Sequence, residues 1–271
     1  MKAAGSMIQD IQERINRLRA ERPAGSTDQP AVTYDCSKCK DEGGFIKRDK
    51  DGVERWVFCE CWKQKQTERL FKSSQITEEF QKLTFQGFVT NGRPKVVEEA
   101  FLAAKHYFMN FRDIREKREN SIALLGEPGC GKTHLLMALS NNLIKRGVRV
   151  QYFPWVEGYN DLKNNLDLLD EKIYQMQTVP VLFIDDLFKG RREATNFQIE
   201  QLFAVVNYRY LNHLPILVSS EKDIDEICEI DMGIGSRIYE MCKDYTVVLK
   251  GVPGLNYRIR ELEDAYVPNV Q

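Results

Sequence analysis

One stretch, Gly126-Glu-Pro-Gly-Cys-Gly-Lys-Thr133, constrains the fold of this chain more than any other. It satisfies the pattern G-x-x-x-x-G-K-[ST] without a mismatch, between the apolar run Ser121-Ile-Ala-Leu-Leu125 and a helically patterned run, His134 to Arg146. A glycine-rich turn between a strand and a helix lets backbone N–H groups converge on phosphate oxygens, and the helix N-terminus adds favourable potential for anions. In such a loop Lys132 reaches the β- and γ-phosphates and the Thr133 hydroxyl ligates Mg²⁺. Gly126, Glu127, Pro128, Gly129, Cys130, Gly131, Lys132, Thr133 and the first helical residue, His134, are therefore the expected nucleotide contacts, with ATP and Mg²⁺ as ligands. The pattern leaves position 130 variable, and a small residue suffices there.

Downstream of the loop, strand-like and helix-like patterns alternate, which implies a parallel α/β sheet. The expected strands are 122–125, 148–153, 179–184, 215–219 and 245–249, and the expected helices 134–146, 156–177, 197–212 and 236–242. Val181-Leu-Phe-Ile184 runs into Asp185-Asp186, about fifty residues after the loop. An apolar strand ending in paired acids places Asp185 to hold the Mg²⁺ shell and Asp186 to orient or deprotonate a water. A later strand ends in Ser219-Ser220, where a γ-phosphate sensor would sit, with Ser220 the expected residue. Arg237, opening a helix, and Arg258, near the C-terminus, each offer a permanent cation for transition-state charge, or else an ordinary surface pair.

The rest of the chain adds a second kind of site. Cys36-x-x-Cys39 and Cys59-x-Cys61 flank two strand-like runs joined by the turn Asp49-Lys-Asp-Gly52. Four thiolates so spaced outline a zinc ribbon with a closed structural site, or else free or redox-active thiols. So small a module has almost no core, and metal binding would supply its folding energy. The module is near neutral in charge, which favours protein docking over DNA binding. Seven cysteines, four of them clustered, with no secretion signal and no membrane-length apolar run, point to a reducing cytoplasm. The net charge of −1 excludes a global electrostatic drive toward nucleic acid or membranes. Ile8, Ile11, Ile15 and Leu18 mark an amphipathic helix whose stripe packs on this chain or on a partner. The expected organisation is an N-terminal helix and linker (1–30), a zinc module (31–62), a helical linker (63–93) and an ATPase domain (94–271). Trp155, Tyr159 and Lys163 are the local candidates for single-stranded DNA, with packing as the alternative for the aromatics. Cys228 and Cys242 read as structural.

Ile184-Asp-Asp-Leu187, Gln201-Leu-Phe, Val206-Asn-Tyr-Arg-Tyr210, Leu214-Pro-Ile-Leu-Val-Ser-Ser220 and Gly235-Ser-Arg-Ile238 together resemble the AAA+ ATPases that load replicative helicases, the DnaC/DnaI type of Gram-positive bacteria and their phages. The four-cysteine module is similar to the N-terminal region of the DnaI-like members. The resemblance implies a lidless P-loop AAA+ domain with a five-stranded parallel sheet, preceded by a small helix and a zinc-ribbon-like module. It implies ATP hydrolysis, homo-oligomers with Arg237 as arginine finger and Arg258 as a sensor-2-like residue, single-stranded DNA, and a DnaB-type helicase gripped by the N-terminal module. Two departures stand out: Phe188-Lys-Gly190 after the acidic pair, and Ser220-Glu221 where the family often has Asn. The related IstB-like transposition helper ATPases are an alternative, as is an adaptor that holds ATP and hardly hydrolyses it.

Overall fold

The structure is a computed structural model that describes residues 34–190 and 194–259. The expected helix around Ile8 to Leu18 lies outside the described residues. The chain divides into two compact units, Met1–Lys63 and Gln64–Gln271.

In the first unit β1 (Gly44–Arg48) and β2 (Glu54–Phe58) pair antiparallel, with Gly44 opposite Phe58 and Arg48 opposite Glu54. The hairpin turns where the Asp49 carboxylate accepts the backbone N–H groups of Asp51 and Val53. Gly52 takes φ +80° in this turn, a conformation that glycine adopts without steric penalty. Ahead of β1, Lys40, Asp41 and Gly43 all have positive φ, and Asp41 accepts the N–H groups of Asp35 and Cys36. This winds the first cysteine pair into a knuckle.

α1 (Glu60–Ser73) begins in the first unit and ends in the second, where α2 (Glu78–Gln81) and α3 (Lys95–Ile114) follow. The sheet of this unit is built from β3 (Ile122–Gly126), β4 (Val150–Pro154), β5 (Val181–Leu187), β6 (Ile216–Ser220) and β7 (Thr246–Leu249). All pairings are parallel and the order is β4-β5-β6-β3-β7. The strand feeding the glycine loop is thus internal, with β6 between it and the acid-bearing β5.

Burial on both faces explains why β3, β5 and β6 read as continuous apolar runs. Ile122 and Leu124 point into a core shared with Val97, Tyr107, Leu136 and Leu139. Ala123 and Leu125 point into the opposite core, with Leu202, Val206, Ile234 and Ile238. The helices are α4 (Lys132–Lys145), α5 (Trp155–Asn164), α6 (Leu169–Thr178), α7 (Asn196–Leu211), α8 (Ile224–Ile230) and α9 (Met232–Cys242). Among the described residues no helix follows β7.

The single helix expected over 156–177 is two. Asn165, at φ −130° and ψ 59°, leaves helical space and donates through its side chain to Asp161, and a short 3₁₀ turn (Leu166–Leu168) precedes α6. Asparagine competes for local backbone partners in this way and favours helix ends.

Arg209 is a feature that periodicity does not reveal. It is fully buried, and its guanidinium donates to the carbonyls of Met176, Gln177, Val179, Pro180 and Pro215. These carbonyls terminate α6 and precede β5 and β6, so one cation supplies donors at the junctions of three elements, sharing Pro215 O with the Leu182 N–H.

Candidate active site and metal centre

The loop leaves β3 through Gly126 at φ +118° and enters α4 through Gly131 at φ +99°. A methyl group on Gly126 would lie 2.1 Å from the Leu249 carbonyl oxygen, and one on Gly129 only 1.9 Å from Asn256 Oδ1. Both the backbone turn and the close approach of the 249–256 segment therefore require glycine. The Lys132 ammonium is almost fully buried and donates to the carbonyls of Gly126 and Glu127, each at 2.7 Å. The buried Cys130 thiol donates to Glu127 O, which places it inside the turn.

A cavity of about 310 Å³ opens at the loop. Its floor is Pro128, Gly129, Gly131, Lys132, Thr133 and His134; Asp186, Lys189 and Glu221 form one wall, and Tyr257 and Arg258 flank it. Phe80, Leu83, Phe88 and Val89 supply an apolar side. Sequence reasoning assigned the segment before α3 only to a linker, yet it covers the loop. Asn141 on α4 donates to the carbonyls of Phe80, Gln81 and Leu83, and a His134 ring nitrogen meets Thr84 O at 2.9 Å. Arg93 ties the loop to the chain after β7 by donating to Cys130 O and Leu255 O. A volume of this size with one cationic floor and one apolar side suits a nucleotide.

At the end of β5 the Asp185 carboxylate is buried and accepts from three hydroxyls: Thr133 at 2.9 Å, Tyr152 at 3.1 Å, and Ser219. Burial pushes its pKa up, the Ser219 bond draws it down, and the neighbouring Asp186 charge pushes it up again; the net direction is upward. Burial first and the Asp185 charge second push the Tyr152 phenol well up, so it remains a donor. Thr133 and Asp185, the expected Mg²⁺ pair, are thus in direct contact. A dry acid with an adjacent hydroxyl gains most from a divalent cation beside it, and oxygen donors of this kind fit Mg²⁺.

Asp186, at φ +56°, turns out of the strand, and the β5–β6 ladder slips between Ile184 and Leu187. Its carboxylate lines the cavity rather than the core. The two serines ending β6 divide their work. Ser219 donates to Asp185 and accepts the Asp186 N–H at 2.8 Å, so one hydroxyl links both acids. Ser220, the residue expected as sensor, donates to Leu187 O at 2.7 Å and accepts from Lys222 N, bonds that hold backbone.

Arg258 is exposed and lines the cavity; Arg237 does not. On α9 the Arg237 guanidinium donates to Asn207 Oδ1 and Gly233 O and lies over the rings of Phe203 and Tyr210. Trp155 and Tyr159, the candidates for base stacking, are buried. Trp155 packs edge-on against Phe188 with ring centroids 4.8 Å apart, and the Tyr159 hydroxyl donates to Gln198 O. They are core, and the stacking reading is corrected accordingly; of the three candidates Lys163 alone is exposed.

In the hairpin unit the sulfurs of Cys36, Cys39, Cys59 and Cys61 all lie within 4.8 Å of one another, with Cys36–Cys59 at 3.7 Å and Cys39–Cys61 at 3.3 Å. A tetrahedral zinc with bonds of about 2.3 Å sets sulfurs about 3.8 Å apart, so the donor set and its spacing fit. The Cys39 backbone N–H draws the Cys36 thiol down to about 6, while the Cys39 thiol pushes Cys61 up. Around this centre Ile46, Trp56 and Phe58 are 63%, 51% and 54% exposed.

A glycine-rich phosphate loop on an internal strand, an acidic pair two strands away and a serine strand between them define an AAA+ ATP-binding protein. The family model described as "IstB-like ATP binding protein" matches residues 109–230. The phage-like element PBSX protein XkdC of Bacillus subtilis (strain 168) is 46% identical over 258 residues, spanning 92% of this chain and 97% of that protein. Among solved structures, DnaI superposes with a TM-score of 0.52 at 22% identity, covering 67% of this chain and 94% of that one. The DnaC helicase loader superposes with 0.53 at 22% identity, covering 64% and 100%. The chain belongs to the IstB/DnaC-like AAA+ family, and a protein of a phage-like element is among its relatives.

Proposed function

We propose that this protein is an ATP-hydrolysing helicase loader that acts in DNA replication. The observation that carries the ATPase reading is the 2.9 Å bond from Thr133 Oγ1 to Asp185 Oδ1, with Asp186 on the cavity wall beside it. In this reading Lys132 and the loop amides hold the triphosphate of ATP, and Thr133 and Asp185 hold Mg²⁺, which supplies charge neutralisation at the phosphate oxygens. Asp186 orients the attacking water. Arg258 adds positive charge at the cavity rim, and Arg237 serves a neighbouring copy of the chain. An arginine supplied in trans is worth roughly 10³–10⁵ in rate for related phosphoryl transfers. The four cysteines hold zinc, and the exposed Ile46, Trp56 and Phe58 of the hairpin dock a DnaB-type helicase, while the AAA+ unit contacts single-stranded DNA.

The replacement Lys132→Ala is expected to abolish ATP binding, measured by titration of a fluorescent ATP analogue; unaltered affinity refutes the site. Co-purification of the full chain with a replicative helicase, lost on Cys59→Ser, tests the loader reading. The match to IstB-like proteins over residues 109–230 favours a second reading, a transposition helper ATPase. Capture of a transposase and duplex DNA instead of the helicase selects it.

A further inference from the structure

Lys189 follows the acidic pair at the end of β5, and the fold gives it a defined partner. Its ammonium lies 2.7 Å from Asp186 Oδ2 and 3.2 Å from Glu221 Oε1, and all three residues line the cavity at the phosphate loop. The arrangement is held from below. Phe188, at φ +59°, is buried against Trp155, and the Lys189 N–H donates to Asp186 O at 3.0 Å, closing a tight turn. That turn directs the Lys189 side chain back over the Asp186 carboxylate. Partial burial draws the ammonium down, but its bonds to the two carboxylates outweigh burial and it titrates above its ordinary range.

A carboxylate oxygen engaged by an ammonium is not free to accept from water. Glu221 matters for the same reason. It is a second acceptor within reach of the same ammonium, so Lys189 can rest on Glu221 without losing a charged partner when Asp186 is needed. We propose that Lys189 is a positioning residue that restrains hydrolysis by occupying Asp186, with Glu221 as the counter-anchor that draws it away. The inference rests on the reading of Asp186 as the water-orienting acid.

The groups are about one-third exposed, so the restraint is modest: exposed pairs are worth roughly 0.4–1 kcal/mol, or about 2- to 5-fold in rate. The test uses the full-length protein with Mg-ATP. Lys189→Met is expected to raise kcat about 2- to 5-fold with KM and ATP affinity unchanged. Lys189→Arg should return kcat to the wild-type value, and Glu221→Gln should lower it by strengthening the hold on Asp186. Wild-type kcat should rise with ionic strength while that of Lys189→Met stays flat. A readout without nucleotide is amine labelling mapped by mass spectrometry, in which Asp186→Asn and Glu221→Gln should each speed modification of Lys189. A K189M kcat equal to or below wild type, with Asp186→Asn inactive, overturns the role of Lys189 and leaves the catalytic reading standing. If Asp186→Asn hydrolyses ATP like wild type, or no form turns over while all bind ATP, the catalytic reading falls and the inference with it.

Discussion

Replacing Ser219 and Ser220 by alanine separates two adjacent residues that the sequence makes look equivalent. The Ser219 hydroxyl donates to the buried Asp185 carboxylate and accepts the Asp186 N–H. A hydrogen bond to a charged group contributes about 1.5–3 kcal/mol, and a stranded N–H costs about 1–3 kcal/mol when water cannot reach it. Asp186 sits beside the cavity, so water relieves part of the second loss, and Ser219→Ala should destabilise the protein by about 2–4 kcal/mol. Ser220→Ala strands Leu187 O and Lys222 N, the latter half-exposed, for about 1–2 kcal/mol. Urea denaturation at pH 7 measures both.

The functional consequences diverge further. The Ser219 bond is the strongest of the three hydroxyl bonds that oppose burial at Asp185, so its loss moves that carboxyl further up. An acid whose folded pKa is raised contributes stability that is full below its unfolded pKa and is lost as pH rises through the folded one. Ser219→Ala should therefore cost least at acidic pH, below the folded pKa of Asp185, and most at neutral pH. Mg²⁺-dependent ATP affinity should fall in this variant, and more steeply at acidic than at alkaline pH, because the ionised acid is needed. Ser220→Ala should keep both affinity and its pH profile. If Ser220→Ala reduces turnover as much as Ser219→Ala does, with stability little changed, the division of labour drawn from the geometry is wrong.

Three further outcomes follow from particular contacts. Asp185→Asn removes a buried charge whose pKa is raised by burial, so the nucleotide-free protein should melt higher at neutral pH while Mg²⁺-dependent binding is lost; a lower melting temperature by calorimetry contradicts this. Arg209→Met leaves the carbonyls of Met176 and Val179, among others, without this donor in the core, and should cost about 3–5 kcal/mol in chemical denaturation without a direct effect on ATP binding. Elemental analysis should find about one zinc per chain, removed in Cys39→Ser. Chelation should abolish the near-ultraviolet signal of Trp56 and Trp62 while the AAA+ unit keeps its ATP affinity, since a module this small depends on metal for its fold.

The local chemistry of the site was legible in the sequence wherever function demands consecutive residues. The loop from Gly126 to Thr133 works through its own backbone, so its spacing is diagnostic, and the same holds for Asp185-Asp186 at a strand end. The alternation of apolar runs with helical patterns likewise sufficed for the parallel sheet, because strands buried on both faces have few ways to read otherwise. The four cysteines were recognisable because a metal fixes ligand type and spacing.

Tertiary structure decided what depends on side chains meeting across distant segments. Which serine touches Asp185 is set by the register of β6 against β5 and by the slip between Ile184 and Leu187, and composition carries no trace of either. Trp155 and Tyr159 look the same in sequence whether they stack on bases or fill a core, and only packing against Phe188 and Phe153 tells them apart. The break at Asn165 was missed because apolar periodicity runs on through it, while the side chain's bond to Asp161 ends the helix. Arg209 and Lys189 are ordinary cations in the sequence. Burial makes the first a scaffold for carbonyls, and a left-handed turn at Phe188 sets the second on Asp186. In each case free energy resides in a contact between residues far apart in the chain or in a backbone conformation, and neither follows from residue type alone.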